Sequence, residues 1–116
     1  MVLLATLLNG CAARLPVTLA QRMPHAPNSC LPVAIITAET LKSNDIDSRV
    51  LIIHTGTFSH ATVVYLFPRE QPQVWVWDME GPPLQVSSAW TDANSISVQW
   101  LQETLPDEFV VAARFL

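Results

Sequence analysis

The chain has 116 residues, half of them hydrophobic and only 14% charged, so a packed core of one domain is expected and disorder is excluded as the dominant state. Its net charge of −4 and pI near 5.1 exclude a nucleic-acid backbone as partner, because counterion release needs clustered Lys and Arg and the six basic residues here are scattered. No run of about 18 apolar residues occurs, which excludes an ordinary membrane-spanning helix.

The first eleven residues, from Met1 to Cys11, are uncharged and largely apolar, and Leu8-Asn9-Gly10-Cys11 resembles the cleavage and lipidation site of a bacterial lipoprotein signal peptide. That resemblance implies lipidation at Cys11, a lipid anchor in the membrane, and a location in the bacterial cell envelope or periplasm. The leader lacks a positive n-region before Arg14, which places the true start upstream of Met1; the competing reading is a short buried helix or strand.

The chain holds two cysteines, Cys11 and Cys30. Either Cys11 carries lipid and Cys30 remains a lone thiol, or the two form one disulfide in an oxidising compartment.

Residues 12–27, with Pro16, Pro24 and Pro27, read as an extended tether. Residues 28–116 form the domain. The segment Asn28–Lys42 predicts a helix: Asn28 or Ser29 caps it, Pro32 falls in the first turn where no donor is lost, and Lys42 sits near its carboxyl end. Leu31, Ala34, Ile35, Ala38 and Leu41 recur at helical spacing as its core stripe, and Ser43-Asn44-Asp45 ends it.

The period then changes to two. Residues 49–54 and 60–67 predict strands joined by a turn at Thr55-Gly56-Thr57. A polar hairpin loop, Pro68–Pro72, leads to a third strand over 73–78, which Gly81-Pro82-Pro83 stops. A helix is expected over 93–104 with Ile96, Trp100 and Leu101 inward, and a last strand over 108–115. The order gives an α+β fold, a helix packed on a small antiparallel sheet.

Cys30 falls in the first turn of the first helix, where unpaired N–H groups and the positive end of the helix dipole favour a thiolate. A hairpin loop centred on Arg69 sets Leu66 opposite Pro72 and, counting outward, His60 opposite Asp78, so the carboxylate is within reach of the imidazole. Nucleophile, base and orienting acid then follow as Cys30, His60 and Asp78. His54 is a second base, but its strand does not lead to a paired acid, and Glu80 replaces Asp78 if the register shifts by two residues. Cys and His spacings do not match a zinc site, and no Gly-rich phosphate loop occurs, so neither a metal nor another cofactor is expected. The four tryptophans, Trp75, Trp77, Trp90 and Trp100, read as core and sheet-face packing.

Asn28-Ser29-Cys30-Leu31 opening a helix, Ser59-His60-Ala61-Thr62-Val63-Val64-Tyr65 starting a strand, and Trp75-Val76-Trp77-Asp78 ending the next resemble the papain-like fold in its small bacterial forms, the C39-type peptidases and transglutaminase-like proteins. The resemblance covers about residues 28–80 and rests on order and placement. It implies a small exported cysteine hydrolase or acyl transferase acting on a peptide or protein, with Cys30 as nucleophile, His60 as base and acid, and Asp78 as its orienting partner. It also implies an oxyanion donor a few residues before the cysteine. Here Gln21 lies nine residues upstream and His25 and Asn28 nearer, so the Cys30 N–H with Gln21, His25 or Asn28 forms the candidate oxyanion hole. The alternative function is a non-catalytic envelope lipoprotein that uses the same scaffold to bind a peptide or protein.

Overall fold

The computed structural model describes residues 30–116. The expected leader, tether, lipidation site at Cys11, oxyanion candidates Gln21, His25 and Asn28, and the caps Asn28 and Ser29 lie outside the described residues.

The fold is α+β: helix α1 (Cys30–Ser43), strands β1 (Ser48–Thr55), β2 (Ser59–Phe67), β3 (Gln73–Trp77) and β4 (Leu84–Val86), helix α2 (Ala93–Thr104) and strand β5 (Val110–Phe115). The five strands form one sheet in the order β4-β3-β2-β1-β5, every neighbouring pair antiparallel.

Helix α1 begins on Cys30 with Pro32 in its first turn, and stops where Asp45 takes a left-handed φ of 61°. Asp tolerates this conformation better than most residues. The Asp45 N–H donates to Lys42 O and the Ile46 N–H to Leu41 O, a Schellman-type ending in which Ile46 also packs on the cluster containing Leu41. Ser48 Oγ then donates to Ala38 O at 2.7 Å, tying the start of β1 to the helix. Because only residues 44–47 separate them, α1 runs back antiparallel to β1. Its first residue therefore lies at the end of the sheet where β1 ends, β2 begins and β3 ends.

Side chains alternate between the faces of each strand, and each face has its own core. On one face α1 packs Cys30, Val33, Ala34 and Leu41 against Val50, Ile52, Ala61, Val63 and Trp77. The other face packs α2, through Ile96, Trp100 and Leu101, against Leu51, Ile53, Val64 and Val76. The expected stripe of α1 is rotated slightly: Val33 and Thr37 are buried, Leu31 and Ile35 are half-buried at its margin, and Ile36 is exposed. Asp92 caps α2, its side chain accepting from the Ser95 N–H.

Strand β4 was not expected, since Gly81-Pro82-Pro83 reads as a stop. β3 ends at Trp77, before a turn over Asp78–Gly81, and beyond the prolines the chain has turned back so that Leu84–Val86 pairs with Val74–Val76. The β2–β3 register also differs from expectation. Leu66 lies opposite Val74, not Pro72, and Val63 opposite Trp77, because the loop is centred on Glu70, one residue further along the chain, which shifts every partner by two. Phe67–Pro68, at its start, is a cis peptide bond.

Candidate active site

The two-residue shift keeps His60 and Asp78 on one face, since side chains repeat every second residue. Continuing the observed register places Asp78 opposite Thr62 and one step diagonally from His60. Across that diagonal His60 Nε2 donates to Asp78 Oδ1 at 2.8 Å. Asp78 Oδ2 accepts from the Glu80 N–H at 3.3 Å, so the turn after β3 holds the carboxylate from its other side. Glu80 does not take the place of Asp78, although the register has moved by the two residues that would favour it.

Both partners are buried, His60 to 2% and Asp78 to 6% exposure. Trp100 of α2 stacks on the imidazole, centroids 5.0 Å apart and planes 16° from parallel, and Phe58 meets it edge-on at 6.1 Å. The ring is thus fixed by a hydrogen bond in its plane and by aromatic contacts. A carboxylate accepts only, so Nε2 carries the proton of this bond, and in the neutral imidazole Nδ1 then presents the lone pair. Nδ1 is buried and makes no hydrogen bond; Thr62 Oγ1, two residues along the same face, is likewise buried and unbonded. An unused buried acceptor of this kind costs about 1–3 kcal/mol, and sites of chemistry are where such a cost is retained.

Cys30 is placed at the same end of the sheet. It is 3% exposed and shares its core cluster with Ala61, the neighbour of His60, and with Trp77 and Met79, which flank Asp78. The sulfur nevertheless belongs to the layer under α1, while the imidazole faces α2. Cys30 makes no hydrogen bond to Nδ1. Cys30 is disulfide-bonded.

His54, next to the last residue of β1, lies directly opposite Ser59, and its Nδ1 is 2.7 Å from Ser59 Oγ. By alternation from Ile52 it occupies the α1 face, the face of Cys30. Sequence reasoning placed Trp100 in the core without giving it a role at the site, and gave none to Phe58 or Ser59. Trp100 belongs to a helix remote in sequence, and no local pattern marks a ring that will lie on an imidazole. The signal for Ser59 was its position opposite His54 across a short turn. Among the described residues, no three His, Cys, Asp or Glu side chains converge as a metal site.

Comparison with protein-family models, with curated proteins and with solved structures finds no match to this chain.

Proposed function

We propose that this chain is a small cysteine hydrolase or acyl transferase of papain-like type, held latent by the disulfide at Cys30. The observation that carries the reading is the buried His60–Asp78 pair, oriented so that an unused imidazole lone pair remains on Nδ1. Once the disulfide is reduced, Cys30 at the start of α1 supplies the nucleophile, and the helix amino terminus favours its thiolate. His60 takes the thiol proton through Nδ1. The thiolate attacks a carbonyl carbon of a peptide, amide or ester, and the imidazolium returns the proton to the leaving group as the thioester forms. Water or an amine then attacks the thioester carbonyl and releases Cys30.

The test is the alkylation rate of Cys30 by iodoacetamide after mild reduction, at about pH 7 where an ordinary thiol is mostly protonated. The native protein should react faster than free cysteine, and His60→Ala and Asp78→Asn should each bring the rate down, with circular dichroism confirming that the variants fold. Equal rates in all three proteins would sink the proposal.

The position of the sulfur on the opposite face from the imidazole, together with its disulfide, favours a second reading, a non-catalytic domain that binds a peptide or protein. On that reading Cys30→Ala retains full biological function; on the first it does not.

A further inference from the structure

Away from His60 and Asp78, an open groove of about 710 Å³ runs between β4 and α2. Its floor is apolar, formed by Val74, Leu84 and Val86, and its rim is neutral and polar except for the carboxylate of Glu103. Among the described residues β4 is an edge strand, paired with β3 on one side and with no strand on the other. We propose that this groove binds an extended segment of a peptide or protein partner as a sixth strand added to β4, with apolar side chains alternating towards the floor and a basic side chain at Glu103. The inference does not depend on the catalytic reading.

Four observations favour this edge and this occupant. An unpaired edge offers main-chain donors and acceptors to any extended chain, and alternate side chains then fall on one face, here the apolar floor. Hydrogen-bond partners already approach from the α2 side: Gln99 Oε1 accepts from the Ser87 and Ser88 N–H groups at 2.9 and 3.0 Å, standing in for a neighbouring strand immediately beyond Val86. The opposite edge, β5, is longer, but its register breaks between His54 and Thr55, and such bulges protect an edge from strand addition. Glu103, the charged group in the groove, selects a basic residue over an acidic one.

The probe is the capped hexapeptide acetyl-Lys-Val-Gln-Val-Thr-Val-amide, titrated into the full chain and followed by amide NMR. Changes confined to Leu84–Ser88 and Gln99–Glu103, with slowed amide exchange in β4, are the expected result. Gln102→Trp fills the groove from an exposed helix position and should weaken binding by at least about tenfold, whereas Ile36→Trp on the outer face of α1 should leave it unchanged. Replacing the valines of the probe by prolines removes main-chain donors and should abolish binding. The proposal is overturned by changes that map to β5, by no change at millimolar peptide, or by a proline probe that binds as well as the original.

Discussion

His60 and Asp78 are hydrogen-bonded at 2.8 Å although they are not cross-strand partners, because the β2–β3 register sets them one diagonal step apart on the face beneath α2. Diagonal neighbours lie farther apart than directly opposed residues but within reach of long or planar side chains. Asp78→Ala leaves both imidazole nitrogens buried without a partner, and should destabilise the fold by about 2–3 kcal/mol in urea unfolding. A His60→Phe/Asp78→Leu double variant removes the polar groups together. It should lose less than the two single changes sum to, and strict additivity would show that the pair is not coupled.

Trp100 bridges the site and the second core, being 1% exposed and stacked on His60. Trp100→Ala should cost about 3–5 kcal/mol, as for other large-to-small changes in a packed interior. Trp100→Phe keeps a ring for the stack and should cost less. If both variants unfold at the same urea concentration, the stack has no part in the stability of this layer.

Strands β1, β2, β3 and β5 and both described helices were legible because short β-branched apolar runs such as Val50–Ile53 and the helical spacing of Ile96, Trp100 and Leu101 are local signals. Burial of Thr37, Thr62 and Ser97 was not, since a hydroxyl residue gives no apolar mark at its position in the pattern. The pairing of β5 with β1, remote in the chain, has no local signature either. At the site, the sequence disclosed the shared face of His60 and Asp78 through parity, which survives a two-residue slip. It did not give the exact opposition, which depends on where the loop turns. Nor did it give the face from which Cys30 approaches, which depends on how α1 lies across the sheet.

Tyr65 is half-buried beside the α1 core, and burial raises its pKa above the ordinary value of 10.0. The unfolded chain therefore ionises this phenol at a lower pH than the folded one. The stability it contributes is fully present below about pH 10 and is lost as pH rises through the folded value. Tyr65→Phe should flatten that part of the alkaline limb when urea midpoints are compared between about pH 9 and pH 11. An unchanged slope would show that the phenol does not titrate differently in the two states.

The disulfide at Cys30 gives the last prediction, in which stability and reactivity move in opposite directions. Cross-linking restricts the unfolded chain, so reduction should lower stability by about 2–4 kcal/mol. Cys30→Ser should reproduce the reduced protein's melting temperature and be insensitive to reductant. Reduction also frees a sulfur that is 3% exposed at the first residue of α1, so its alkylation is limited by access as well as by thiolate content. Following melting temperature and iodoacetamide labelling through one redox titration separates the two effects. Labelling that rises together with the loss of the bridge, while the protein remains folded, supports the latent-enzyme reading. Labelling that appears only on global unfolding shows Cys30 to be a buried structural sulfur and leaves the His60–Asp78 pair without a nucleophile.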